Sequence, residues 1–320
     1  MVQRLTTEII QVYDKLITNQ LERGFIEIVT NDDVSSGHYL PHHPVKKNSD
    51  TTPIRIIYDC SCKVGNNPSL NVRPLDAGPS LLNDLASIML RFRMHKFGVS
   101  ADIEKAFLQV GLEESDRDFT KFMWLSDPDD PNSPFRIYRF KVVLFGAACS
   151  PFILNATVKF HLENDGSETA VDLSKNIYVD NVLSGRDSEQ KLIDYHTEAI
   201  NLMKSSGFNL REWATNCAEL KEIVAKANIP CSDSIANVLG LRWDTDSDSL
   251  RYPDKELDKA TESKAVGGRS YTIHVIPNIL TICRYGKKRN TAVFVLFMNV
   301  YNDVKIQSSG EKSPQKRDIY

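Results

Sequence analysis

Apolar positions at Ile9, Ile10, Tyr13, Ile17 and Leu21 recur near helical spacing and predict a helix over Thr6–Glu22, stopped by Gly24. Phe25–Val29 reads as a strand, and Ile54–Asp59 as a second with an apolar centre. Residues 65–68 and 70–78, which carry Gly and Pro, read as loop. Ser80 is placed to cap a helix from Leu81 to about Phe92, with Leu82, Leu85, Ile88 and Met89 inward. Arg91 and Arg93 then form a solvated helix end. Val99–Ile103 is a strand that runs into a short helical turn through Phe107 and Leu108. Phe119–Leu125 and Phe135–Val143 follow as strands, separated by an exposed turn with three prolines between Asp127 and Pro134.

Ser150-Pro151 reads as a cap with proline at the first helical position, opening a helix through Phe152, Leu154, Val158 and Leu162. Residues 176–185 alternate and then resume an apolar run, which predicts a hairpin reversing at Asp180-Asn181. Ser188–Ser205 is an amphipathic helix, and Phe208–Trp213 and Val238–Trp243 are strands. Beyond Pro253 the pattern changes. Two apolar islands, 271–283 and 291–301, stand between basic runs without a clear period, and 307–320 reads as disordered.

Length changes this picture little: 320 residues suit one large core or two modest ones. Charge changes it more. Residues 1–253 carry 27 Lys and Arg against 35 Asp and Glu, whereas 254–320 carry 12 against 7. An acidic body counts against nucleic-acid binding without excluding a locally basic groove. No apolar run reaches membrane-spanning length, and the first residues lack the apolar centre of a secretory signal. The six cysteines form no Cys-x-x-Cys pair and have no His at zinc spacing, so reduced thiols are expected, in a cytoplasmic or nuclear protein without a membrane partner. His42 and His43 are adjacent, so on an extended chain they point opposite ways, and a structural role is expected for both.

Candidate chemistry rests on two carboxylates 78 positions apart. Asp102 stands at the exit of its strand, and Asp180 at the tip of the predicted hairpin. Asp-Asn at a reversal is ordinarily turn chemistry. A strand-end carboxylate beside a hairpin-tip carboxylate is also the minimal cradle for two divalent metals in phosphoryl transfer.

The order of these stretches resembles the reverse transcriptases, specifically the BEL/Pao type of LTR retrotransposon, over about residues 5–250. The resemblance is carried by residues 39–45, 55–61, 69–71, 78–85, 90–93 and 101–109. It continues through Leu144-Phe145-Gly146, Ser150-Pro151-Phe152, Tyr178-Val179-Asp180 and residues 239–244. It implies an α+β right-hand fold, with fingers at about 1–83 and 113–145, palm at about 84–112 and 146–253, and a divergent tail at 254–320. It implies a catalytic group of Asp102, Asp180 and Asn181, with Asp102 and Asp180 holding two Mg2+ ions, for which Mn2+ is a substitute.

The same resemblance gives Ile103, Glu104, Lys105, Ala106 and Phe107 to the nucleotide, with Arg55 as a clamp on phosphate and Lys47 or Lys46 assisting. Phe107 matches the residue that crowds the sugar 2′ position, Phe145 and Gly146 pack on the incoming nucleotide, and Leu239, Gly240 and Leu241 hold the primer end. The partners implied are an RNA or DNA template–primer and deoxynucleoside triphosphates. Blander readings stand beside these: Arg55 at the surface of an apolar strand, and Phe107 as core.

Three departures mark this copy. Asn181 stands where the family has a second Asp, so impaired catalysis is expected, although some viral polymerases work with Asn at the matching place. Glu212 occupies a position expected to be basic. Nothing after Pro253 resembles a thumb, RNase H or integrase, and no protease precedes the palm, so a segment of a longer polyprotein with poor processivity is expected. A non-catalytic binding module, or a different phosphoryl-transfer enzyme using the same acids, are the alternative functions.

Overall fold

The computed structural model describes residues 5–30, 37–46, 54–63, 65, 68–72, 77–227 and 234–251, and the backbone of four later strands. In chain order the elements begin with α1 (Thr7–Glu22), β1 (Ile26–Ile28), β2 (His42–Lys46), β3 (Ile54–Tyr58), α2 (Leu85–Arg93) and β4 (Phe97–Ile103). A 3-10 turn at Ala106–Gln109 leads to α3 (Glu114–Arg117), β5 (Lys121–Leu125), β6 (Phe135–Phe140), α4 (Ser150–Asp165) and α5 (Glu168–Asn176). Then come β7 (Ile177–Tyr178), β8 (Asn181–Arg186), α6 (Glu189–Ser205), β9 (Leu210–Thr215) and α7 (Ala218–Lys226). Three short strands follow, β10 (Ile235–Val238), β11 (Leu241–Asp244) and β12 (Ser249–Arg251). The backbone of β13 (Arg269–Ile276), β14 (Ile279–Gly286), β15 (Ala292–Phe297) and β16 (Ile306–Ser308) forms an antiparallel meander. Lys47 and residues 309–320 lie outside the described residues.

Two compact units divide the chain: residues 1–82, 104–166 and 206–208 form the first, and 83–103, 167–205 and 209–320 the second. In the first unit, a sheet of order β1-β6-β5 and the β2–β3 hairpin share a core with α1. The apolar stripe of α1 buries Ile10, Tyr13 and Ile17, and Tyr13 stacks on Trp124 with centroids 4.4 Å apart. His42 and His43 do face opposite ways: His42 is buried and His43 exposed. His42 Nε2 donates to Met123 O at 2.8 Å while Nδ1 accepts from the Tyr13 hydroxyl, which assigns the neutral ring. Burial holds its pKa below the ordinary histidine value.

The second unit is organised on an antiparallel sheet of order β7-β8-β4-β9. β4 is buried at every position except Asp102. Gly98 lies in β4 because the Phe92 ring comes so near that a Cβ there would stand 2.9 Å from it. Phe92 in turn meets Trp243 edge-on at 4.9 Å, joining α2 to the β10–β12 sheet.

Several local readings are corrected by the coordinates. Helix α2 starts at Leu85 with Asp84 as its cap, whose carboxylate accepts from Ser87 N at 2.7 Å. Residues 81–84 are not helical, and Leu82 and Leu85 are exposed, because Asn83 is drawn away to donate to Ser174 O and Ile177 O at 2.8 and 2.9 Å. Arg91 and Arg93 are not a solvated end. Arg91 Nε donates to Asn176 Oδ1 at 2.8 Å, and Arg93 grips Asp248 through two nitrogens at 2.6 and 2.9 Å. Ser150 is the first residue of α4 rather than its cap, and its hydroxyl donates to Leu144 O at 2.7 Å. The predicted strand over 238–243 is broken by a two-residue reversal at Leu239-Gly240, with φ of 49° and 85°.

Candidate active site

β4 and β8 run antiparallel with Asp102 opposite Asn181, and Ile103 N donates to Asp180 O at 2.8 Å. Directly opposed Cα atoms in such a ladder lie about 4.5–5.5 Å apart. The carboxylates numbered 102 and 180 therefore come from neighbouring positions of one sheet. The reversal falls one residue earlier than predicted. Tyr178 pairs with Asn181, so the two-residue loop is Val179-Asp180 and Asn181 already belongs to β8. Val179 takes φ of 57°, a region that β-branched residues avoid. The turn therefore forms against local preference, held by the pairing on both sides.

The three side chains are half-buried, and Asn181 acts as a donor: its Nδ2 gives a hydrogen bond to Asp180 Oδ1 at 2.9 Å. Asp102 Oδ2 faces Arg211 Nε at 3.8 Å, across the β4–β9 pairing. The register of that pairing shifts between Ser100 and Asp102, and Glu212, at φ of 51°, lies in the resulting bulge. Behind β8, Asp172 accepts from Ser184 Oγ at 2.7 Å and Arg186 stacks over Tyr195 at 4.1 Å, which ties α5 and α6 to the strand. Among the described residues no three His, Cys, Asp or Glu stand together as a metal-binding group. The carboxylate oxygens of Asp102 and Asp180 are the hard donors that Mg2+ or Mn2+ takes, so these residues fit such an ion, with one Asp180 oxygen already engaged by Asn181.

The first unit gathers a second group. Arg55, Tyr58, Lys105, Leu108, Phe145 and Gly146 are among the residues lining a cavity of about 680 Å3. The Arg55 guanidinium lies over the Phe145 ring at 5.5 Å, and Phe145 meets the buried Phe107 edge-on at 4.8 Å. Lys105 has φ of 49° at the start of the 3-10 turn that carries Ala106 and Phe107, and Glu104 O accepts from Gln109 at 3.3 Å. Phe107 is thus a core residue that also supports a cavity wall. Asn71 closes the matching stretch 69–71 and is a positioning residue whose role the sequence does not assign. It donates to Gly146 O at 3.0 Å and accepts from Ala148 N at 2.8 Å, holding the loop across 75 and 77 positions. Gly146, at φ of 99°, passes so near Tyr58 O that a Cβ would lie 3.3 Å from it.

Leu239, Gly240 and Leu241 form the tip of the β10–β11 hairpin in the second unit. Burial, with Asp59 and Cys149 nearby, pushes the Cys60 thiol up to about 12.

Solved structures share this architecture. Foamy viral protease–reverse transcriptase in complex with double-stranded DNA aligns with a TM-score of 0.54 at 15% identity, over 81% of this chain and 44% of that one. The same viral protein in complex with an RNA/DNA hybrid aligns at 0.53 and 14% identity, over 83% of this chain and 30% of that one. This chain therefore spans less than half the length of either. The likeness shows the fold, a mixed helix and antiparallel-sheet arrangement similar to the retroviral polymerase domain. A comparison with curated protein sequences finds no match. The family model for reverse transcriptase (RNA-dependent DNA polymerase) matches residues 45–219, from the β2–β3 hairpin into α7, and the chain belongs to that family.

Proposed function

We propose that this chain is the reverse transcriptase domain of a BEL/Pao-type LTR retrotransposon polyprotein and that its template-directed DNA synthesis is impaired. The observation that carries the reading is the adjacency of Asp102 and Asp180 on β4 and the β7–β8 turn, with a carboxamide at position 181. Asp102 and Asp180 hold the divalent ions, Mg2+ with Mn2+ as substitute. When bound, these supply charge stabilisation to the attacking and leaving oxygens of a phosphoryl transfer. Arg55 presents a planar, permanent charge to triphosphate oxygens, and Lys105, on the same cavity, adds a second cation. Lys47 or Lys46 assists, along with the peptide groups of Ile103 to Phe107. Phe107, braced by Phe145, excludes a sugar 2′-hydroxyl by clash, and Phe145 with Gly146 packs on the nucleotide. Leu239, Gly240 and Leu241 hold the primer end. The functional division is fingers at about 1–83 and 113–145 and palm at about 84–112 and 146–253.

Primer extension in Mg2+ by the protein and by Asn181→Asp tests this. The carboxylate should raise extension by about tenfold or more, the scale on which even indirect ligand changes act. Equal and robust extension by both proteins overturns the impairment. The same carboxamide favours a second reading, a binding module that retains the template–primer without synthesis. Salt-sensitive binding of an RNA–DNA primer–template with no extension even by Asn181→Asp would select it.

A further inference from the structure

β9 brings one cation to the acidic pair. Arg211 is the cross-strand partner of Asp102, with Nε 3.8 Å from Oδ2. On its other side, Arg211 Nη2 lies 3.5 Å from Glu212 Oε1, so the guanidinium is shared between the two carboxylates. The bulge is what allows this: the extra residue and the φ of 51° at Glu212 let consecutive side chains reach one another, which a regular strand forbids. Asn181 meanwhile donates to Asp180 at 2.9 Å. Asp102 therefore faces an internal counter-charge, and Asp180 an internal donor, before any ion arrives.

We infer that Arg211 is a built-in counter-ion of this site, competing with divalent metal for Asp102, and that with Asn181 it limits the pair to one tightly held ion. The inference rests on the metal assignment proposed above. Asp102, Asp180 and Glu212 with Arg211 together carry two net negative charges. One dication neutralises them. A second would leave the site strongly positive, with like charges a few ångströms apart. An aspartate at 181 shifts this balance towards the second ion, and loss of Arg211 shifts it further.

The full chain is titrated with Mn2+, and free aqueous Mn2+ is followed by electron paramagnetic resonance. Arg211→Gln should tighten binding by about three- to tenfold, an exposed-to-half-buried charge pair being worth no more. Arg211→Lys should stay within about twofold of the parent, because the charge remains. Asn181→Asp combined with Arg211→Gln should bind a second ion. Unchanged or weaker binding by Arg211→Gln overturns the counter-ion role, as does tightening by Arg211→Lys equal to that of Arg211→Gln. Should Arg211→Gln not fold, Glu212→Gln replaces an exposed carboxylate. It releases Arg211 towards Asp102 and should weaken Mn2+ about twofold; no change there overturns the inference as well. Asp180→Ala separates the two claims. Loss of bound Mn2+ supports the metal assignment, whereas Mn2+ retained in that variant removes the assignment itself, whatever Arg211 does.

Discussion

Val179 sits with φ of 57°, one of five non-glycine residues with positive φ among those described, and the β-branched one of that group. Such a backbone costs about 1–3 kcal/mol. A glycine recovers that cost but adds about 0.5–1 kcal/mol of chain entropy to the unfolded state. Val179→Gly should therefore raise stability by about 1 kcal/mol, read as a higher urea midpoint, and an unchanged or lower midpoint would refute the strain. This residue also explains why the reversal stands one position before the one the sequence predicts. Asp-Asn carries the turn preference and Val does not, so the cue pointed at 180–181 while strand pairing settled on 179–180. Asp102 and Asp180 were legible because a motif and a strand end coincide there. Arg211, and the contacts of Asn71 within its matching stretch, were not, because a side chain that bonds a distant loop or the next strand leaves no period in the sequence.

Helices show the same division between pattern and partner. The interior of α2 was readable from Ile88 and Phe92, but its start was not, since Ser80 and Asp84 both offer a capping oxygen. The choice was made by Asn83, tied to carbonyls 91 and 94 positions away. The far end of α2 is fixed by Arg93 on Asp248, a pair whose arginine is 13% exposed and aspartate 35%. Arg93→Met should cost about 1–2 kcal/mol after allowance for the exposed aspartate, measured by urea unfolding; a loss below about 0.5 would mean the pair is ornamental. In the first unit Asn71→Ala removes three hydrogen bonds, to Ser61, Gly146 and Ala148. It should cost about 1–2 kcal/mol and speed amide exchange at Ala148 specifically. Exchange unchanged at Ala148 would show that the loop holds itself.

At the scale of the molecule, each unit buries a neutral histidine among the described residues. His42 lies in the first, and His196 in the second against Trp213 at 4.4 Å, both with pKa lowered chiefly by burial. A depressed base gives stability that is whole above the unfolded value of about 6.5 and is lost as pH falls towards the folded value. Between pH 7.5 and 5.5 each should subtract up to about 1.4 kcal/mol. Urea midpoints at the two pH values measure the total, and His196→Leu should remove its share of the difference; an undiminished difference would place the titration elsewhere. The family was legible as a succession of motifs through residue 250. The strands beyond it were not, because their apolar islands carry no alternation that separates one strand from the next.

The tightness of the β7–β8 turn has a consequence for repair. With Tyr178 and Asn181 locked as partners, a carboxamide fills the outline of the missing acid without shifting a strand. Shape and voltage are written separately at that position. A single exchange of nitrogen for oxygen would recharge the site and leave the scaffold as it stands.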